Sequence, residues 1–262
     1  MSISPEASVK QNGVPAQRGT DRRSADHATR LLPLVREATE RLDVIVAGLD
    51  ESAVHQPSRL PGWSRAHVVT HLARNADALV NLLTWARTGV EHPMYASRAD
   101  RDADIEEGAD RLAQVLREDL RAASDRFMYA ATELPPQAWK ATVAARMQGP
   151  IPAANVPGMR LHEVWIHLVD LDVDVTFADI PAGHLELLVA EAAAPHAGRP
   201  DWPTVRLTAE LPGGGERVWH LGGSDNRTHE VTGAASDVLA WLTGRGDGSA
   251  LRGDKPELPA WG

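Results

Sequence analysis

Apolar residues recur at intervals of three and four through most of the first 180 residues, and this spacing limits the possible folds more than any other feature. It is the spacing of one face of an α-helix. Four such segments follow one another, at residues 24–50, 64–89, 105–127 and about 158–177. Amphipathic helices bury their apolar faces against each other, so the pattern predicts a four-helix bundle. The long connection over residues 138–157 leaves the order of the helices open.

Beyond about residue 180 the helical spacing gives way to alternation. Apolar residues alternate over 205–211, which predicts a half-buried strand, and three glycines at 213–215 predict a turn after it. Two more strands and two helices are predicted from the remaining segments: strands over residues 217–221 and 229–232, and helices over residues 184–193 and from Ser236. The predicted fold class is therefore α plus α/β, a helix bundle followed by a small α/β domain.

These patterns divide the chain into three predicted parts. Residues 1–23 are rich in Ser, Gln, Gly, Pro and Arg and carry almost no large apolar side chains, so they are predicted to be a disordered leader. Residues 24–178 form the bundle, and residues 179–262 form the α/β domain.

Charge and composition narrow the class of partner. The chain has 36 acidic and 27 basic residues, a net charge of −9, and no run of basic residues that would form a nucleic-acid-binding face. No segment approaches the roughly 18 apolar residues of a membrane span, and the N-terminus lacks the apolar stretch of a signal peptide. We therefore expect a cytoplasmic protein with neither nucleic acid nor membrane as its partner.

The chain contains no cysteine. Disulfides, cysteine metal ligands and a cysteine nucleophile are therefore excluded, which suits a reducing cytoplasm. Any thiol chemistry must use a thiol from outside the chain.

Histidine and carboxylate side chains on two predicted helices form a candidate metal site. Glu163 and His167 are four residues apart on the fourth helix, so their side chains lie on adjacent turns of one face. The second helix offers His67 and His71, also four apart, and periodicity alone does not decide which one would complete the site. Two histidines and one carboxylate bind zinc or non-haem iron(II) readily. The same pair is also common on solvated helix faces, so the spacing by itself leaves both interpretations open.

Four segments resemble the mycothiol-dependent maleylpyruvate isomerase family, and together the resemblance covers nearly everything after residue 25. The segments are LPGWSRAHVVTHLARNADAL at residues 60–79, WARTGVEHPMYAS at 85–97, EVWIHLVDL at 163–171 and LTGRG at 242–246. The resemblance implies a DinB-like four-helix bundle followed by a small domain similar to sterol-carrier proteins.

The resemblance also implies which residues form the site. It gives His71, Glu163 and His167 as the ligands of zinc or another divalent metal, and it leaves out His67. It gives Arg101, in a charged loop, and Arg245, just after the last helix, as catalytic residues that hold a small dianionic substrate. Arg245 would also contact the bound cofactor, mycothiol.

The implied reaction is the cis–trans isomerisation of maleylpyruvate to fumarylpyruvate, a step of gentisate-type aromatic degradation. A zinc-bound mycothiol thiolate would add reversibly to the double bond, which allows rotation, and the arginines would clamp carboxylates or stabilise enolate charge. Asp170 would either support a metal ligand or be a solvated carboxylate.

Two other functions fit the same residues. One is a mycothiol S-transferase, which would leave the thiol on its product, and the other is a non-catalytic metal-binding stress protein. In the second case Arg101 and Arg245 would be dispensable.

Overall fold

The computed structural model describes residues 15–145, 149–223 and 227–259, with side chains described from residue 23. The helical part comprises four long and two short α-helices: α1 (Pro15–Ala47), α2 (Glu51–Val54), α3 (Arg65–Thr88), α4 (Arg98–Ala109), α5 (Ala113–Thr132) and α6 (Val156–Asp170). A short 3-10 helix (Pro136–Lys140), a hairpin of β1 (Thr142–Ala145) and β2 (Gly149–Pro152), and a second 3-10 turn (Ala153–Asn155) fill the long connection before α6.

The four long helices form the predicted bundle. α3 packs against α5 and α6, and α1 packs against the same two helices from the opposite corner. Their apolar stripes meet in one core whose members are buried, among them Leu42, Leu72, Phe127 and Leu161. The amphipathic spacing therefore identified the architecture correctly.

The prediction of a single third helix over residues 105–127 is wrong, because two helices, α4 and α5, occupy this part of the chain. α4 ends at Ala109, with Asp110 as its C-cap, and Leu112 takes an extended conformation (φ −61°, ψ 146°) before α5 begins. The first backbone N–H of α5, on Ala113, donates to Glu51 Oε2 at 2.8 Å, which satisfies a group left unpaired at a helix start. Ile105 and Leu116 are nevertheless both buried, so the apolar spacing continues across the break.

α4 begins at Arg98, where the sequence predicted the charged loop that holds Arg101, and it lies close against α3. A Cβ at Gly108 would come within 2.3 Å of the Thr70 side chain, so only glycine permits this approach. Ser97 caps the helix by accepting from the backbone N–H of Asp100 at 3.0 Å. Arg101, expected in a loop, is therefore held on the first turn of a helix.

α6 ends at Asp170, earlier than its apolar spacing predicted. Asp172 and Asp174 have positive φ values of 55° and 59°, which end the helix. Arg65, at the start of α3, donates to the Leu171 and Asp172 carbonyls at 2.8 Å each. This contact fixes the end of α6 against the start of α3, the two helices that carry the candidate metal ligands.

The predicted disordered leader is partly corrected. α1 begins at Pro15, so residues 15–23 are helical, while residues 1–14 lie outside the described residues. Proline suits the first turn of a helix, and extending an existing helix costs far less than nucleating one. A scarcity of large apolar residues therefore does not prevent this extension.

The remaining chain forms a small mixed sheet flanked by two helices. A 3-10 turn (Phe177–Asp179) spans the predicted boundary between residues 178 and 179 and precedes α7 (Ala182–Ala193), which continues into a 3-10 turn (Ala194–His196). The sheet has the order β4-β3-β5-β6, with β3 and β5 parallel and the other pairs antiparallel. Its elements are β3 (Val205–Glu210), β4 (Glu216–Leu221), β5 (His229–Ala234), α8 (Ala235–Leu242) and β6 (Arg252–Gly253).

The predicted strands are confirmed, and with the bundle they confirm the α plus α/β fold class. Among the described residues, no helix is long and apolar enough to cross a membrane.

Candidate functional site

Three side chains from α3 and α6 converge at one point inside the bundle. His71 Nε2 lies 3.0 Å from Glu163 Oε2, and His167 Nε2 lies 3.4 Å from the same oxygen. The two imidazole rings stand edge to face with centroids 4.6 Å apart. One donor atom from each residue therefore lies within 4.8 Å of the others, so the three could hold one metal ion.

The donors suit a divalent metal. Two imidazole nitrogens and one carboxylate oxygen form a set that zinc accepts, and three protein ligands leave a position open for a further group. Both Nε2 atoms point at the same carboxylate oxygen, which is the convergence that coordination of one ion requires.

The ionisation of these groups favours the metal-binding forms in two of the three cases. Burial lowers the pKa of His71 to about 4, so this ring is neutral at pH 7. Burial alone would raise the pKa of Glu163, but hydrogen bonds from His167 and His71 outweigh it and hold that pKa well below its usual value.

His167 differs from the other two ligands. Burial alone would lower its pKa, but hydrogen bonds to Asp170 and Glu163 outweigh it and raise the pKa above its usual value. Protons therefore compete with a metal for this ring more than for His71.

A buried carboxylate orients His167 from behind. His167 Nδ1 lies 2.9 Å from Asp170 Oδ2, and Asp170 is fully buried. A carboxylate at this nitrogen keeps the proton on Nδ1 and directs the Nε2 lone pair toward a metal. Asp170 is therefore a support for a candidate ligand, which resolves the alternative that it is a solvated carboxylate.

Arg245 connects the sheet domain to this carboxylate. It follows α8, as predicted, and its Nε and Nη2 donate to the two oxygens of Asp170 at 3.1 and 2.8 Å. Its Nη1 donates to the Thr243 carbonyl at 2.7 Å. The guanidinium thus grips Asp170 through two parallel hydrogen bonds, and Arg245, Asp170 and His167 form one continuous chain of contacts.

Arg101 approaches the site from α4. Its Nη2 lies 3.2 Å from His71 Nδ1, and its Nη1 donates to Asp102 Oδ1 at 2.7 Å. The guanidinium carbon also lies 5.8 Å from the centre of the Tyr95 ring. The structure therefore places both predicted arginines beside the histidines of the candidate site, Arg101 directly and Arg245 through Asp170.

His67 is not part of this group. Its Nδ1 accepts from the Ser64 backbone N–H at 3.2 Å at the start of α3, while its Nε2 lies 3.4 Å from Glu106. Both ring nitrogens are therefore engaged in holding the helix start and α4. Of the two histidines that periodicity left open, the structure places His71 with Glu163 and His167.

Two further residues are neighbours of the site, and of these Trp63 was missed from the sequence. Trp63, just before the helix cap, packs its ring 5.7 Å from that of His71 and covers one side of the site. Arg160 is fully buried and donates to the Leu72 carbonyl, Asn75 and Ser124, so it joins α6 to α3 and α5. An arginine beside the apolar stripe of α6 was the available signal for this packing role.

Comparisons with known proteins show which family the chain is similar to. Residues 35–172, just over half of the chain, match the family model described as "Mycothiol maleylpyruvate isomerase N-terminal domain". Two uncharacterised proteins of Mycobacterium tuberculosis, from strains CDC 1551 and H37Rv, are each 27% identical over 222 residues, covering 80% of this chain and 83% of theirs.

Two solved structures have the same fold over most of their length. A crystal structure of the mycothiol-dependent maleylpyruvate isomerase is 30% identical, with a TM-score of 0.78, and covers 89% of this chain and 97% of its own. A structure of a histidine-to-alanine mutant of that enzyme gives a TM-score of 0.76 at the same identity and coverage. The chain belongs to the mycothiol-dependent maleylpyruvate isomerase family.

Proposed function

We propose that this protein is a metal- and mycothiol-dependent isomerase that converts maleylpyruvate to fumarylpyruvate during aromatic compound degradation in the cytoplasm. The metal, zinc or another divalent ion, would be held by His71, Glu163 and His167. The observation that carries the proposal is the convergence of these three donors, with His167 held from behind by Asp170. It occurs in a chain whose fold and sequence match an isomerase family.

The isomerisation requires a cis double bond to become single for long enough to rotate. A bound metal would stabilise mycothiol as its thiolate, and that thiolate supplies the reversible addition to the double bond. The chain contains no cysteine, so no protein thiol competes for either role. The protein must then bind a dianion and stabilise the enolate charge that develops on it.

Arg101 is suited to bind the negatively charged substrate. Its contact with His71 explains how one of its N–H groups would become available for that purpose. Arginine only donates, so the Nδ1 of His71 accepts in this contact and the ring proton lies on Nε2. A metal on Nε2 requires the proton on Nδ1, and two donors cannot share a hydrogen bond. Metal loading would therefore free an Arg101 N–H group to bind a substrate oxygen.

Arg245 would act mainly through Asp170. Three of its five N–H groups are taken by Asp170 and the Thr243 carbonyl, so two remain to contact the substrate or mycothiol. Its first role is to hold the carboxylate that orients His167. Its second, the predicted contact with substrate and cofactor, uses the remaining donors.

The proposed reaction is tested by following the absorbance of maleylpyruvate with the metal-loaded protein. We expect turnover to fumarylpyruvate only when mycothiol is added, with the thiol recovered unchanged and glutathione a poor substitute. Turnover by dialysed, thiol-free protein would contradict the proposal. A stable thiol adduct as the product would instead identify an S-transferase.

The metal ligands are tested by replacing each with alanine. His71→Ala, Glu163→Ala and His167→Ala should each lose the bound metal, because two remaining donors do not hold it against dialysis. His67→Ala is the matched control and should keep full metal content, since His67 serves the helix start. Full occupancy by elemental analysis in His167→Ala would refute the assignment.

Arg245 is tested by two substitutions measured at saturating metal. Arg245→Ala should lower kcat/KM by about ten- to a hundred-fold, because a charge-assisted contact and the support of His167 are lost together. Arg245→Lys should recover only part of this, since lysine cannot bind both Asp170 oxygens through a planar fork. Wild-type kinetics in Arg245→Ala would show that the sheet domain has no part in the chemistry.

A further inference from the structure

A polar cavity of about 230 Å³ opens between α3 and the segment that leads into α4. Its wall includes Arg74 and Asn81 from α3, Tyr95 from the connecting segment, and Asp100, Arg101 and Asp104 from α4. Arg101 also touches His71, so the cavity and the candidate metal site share a wall. Arg101 therefore lies beside both the candidate metal site and the cavity.

The direction and length of the cavity follow from α3. At about 100° per residue, His71, Arg74, Ala78 and Asn81 lie on one face of the helix, and at about 1.5 Å per residue Asn81 is about 15 Å beyond His71. Arg74, Ala78 and Asn81 all line the cavity. The cavity therefore extends along α3 from about 5 to about 15 Å beyond the His71 position. This suits a molecule that places one reactive atom at the site and its body in the cavity.

Several polar atoms in the wall are hydrogen-bond acceptors to which no described residue donates. Among the described residues, Asp104 has no hydrogen bond or ion pair, and one carboxylate oxygen of Asp100 is free because Ser97 donates only to Oδ2. The amide nitrogen of Asn81 is used by the Pro93 and Met94 carbonyls, so its oxygen remains an acceptor. Free acceptors of this kind bind hydroxyl groups and repel carboxylates.

The charged and aromatic groups of the wall favour the same class of ligand. Arg74 is already paired with Asp77 and Asp119, so it offers no unpaired charge to an anion, while Arg101 is the wall residue that also contacts His71. Tyr95 adds an aromatic ring to the wall. Aromatic faces pack against the C–H faces of sugar-like rings, while carboxylates and amide oxygens accept from their hydroxyls.

We propose that this cavity binds the uncharged, hydroxyl-rich part of the thiol cofactor and so selects the thiol. Mycothiol carries its cysteine on a glucosamine–inositol unit, which supplies such hydroxyls, whereas glutathione is a peptide with two carboxylates that this wall repels. The assignment rests on the proposed function for the identity of the cofactor. It gives Asn81, Asp100 and Asp104 a role in selecting the thiol and none in the chemical step.

The test compares two thiols with two variants. Asp104→Ala removes a free acceptor, and Ala96→Leu narrows the cavity from an exposed position in its wall. Each should raise the KM and the calorimetric Kd for mycothiol about ten-fold, as expected for losing one charge-assisted contact or its equivalent in packing. The kcat at saturating thiol and the metal content should not change.

N-acetylcysteine and a matched acidic residue supply the controls. N-acetylcysteine has the thiol but not the hydroxyl-rich part, so its KM should be the same in the wild type and both variants. Glu107→Ala removes an exposed α4 carboxylate that does not line the cavity, and it should bind mycothiol as the wild type does.

The outcomes separate this assignment from the proposed function, because calorimetry with the metal-loaded protein needs no turnover. If the wild type binds mycothiol and both variants bind it equally well, the cavity assignment is wrong and the isomerase proposal stands. An equal rise in KM for mycothiol and N-acetylcysteine would also overturn the cavity assignment, because it would show damage to the site that binds the thiol group itself. If the wild type does not bind mycothiol, both proposals fail.

Discussion

Two histidines and a carboxylate meeting in the bundle form the interaction on which the rest of the structure depends. A carboxylate that is mostly removed from water must be compensated, and Glu163 is compensated by hydrogen bonds to His71 and His167. These contacts require α3 and α6 to lie side by side with their ligand-bearing faces turned toward each other. Arg65 holds the end of α6 to the start of α3, and buried Arg160 joins the same two helices at Leu72.

The same requirement connects the two halves of the chain. Asp170 is fully buried at the end of α6, and its negative charge is compensated by His167 from the bundle and Arg245 from the sheet domain. Trp165 on α6 donates in addition to His184 on α7 at 2.8 Å. The sheet domain therefore contributes to the candidate site, because Arg245, which follows its last helix, holds the carboxylate that orients His167.

Periodic features of the fold and the site could be predicted from sequence, and features set by contacts between distant residues could not. The apolar spacing predicted the helices and the alternation predicted the strands, because both patterns reflect which face of the element is buried. The apolar spacing continues across the break between α4 and α5 and beyond the end of α6 at Asp170. The spacing alone therefore missed the break and placed the end of α6 too late. In the same way, spacing paired Glu163 with His167 but could not choose between His67 and His71, because which of them faces Glu163 depends on how α3 packs against α6. Arg245 and Asp170 are 75 residues apart in the sequence, so no local sequence pattern predicts their contact.

The central claim is that His71, Glu163 and His167 bind a metal and leave a position to which the thiol of mycothiol binds. X-ray absorption spectroscopy at the zinc edge, with the zinc-loaded protein before and after adding mycothiol, tests this most directly. We expect nitrogen and oxygen neighbours alone at first, including two imidazoles. A single sulfur neighbour at about 2.3 Å should then appear with saturating mycothiol. A first shell that stays free of sulfur under those conditions would contradict it.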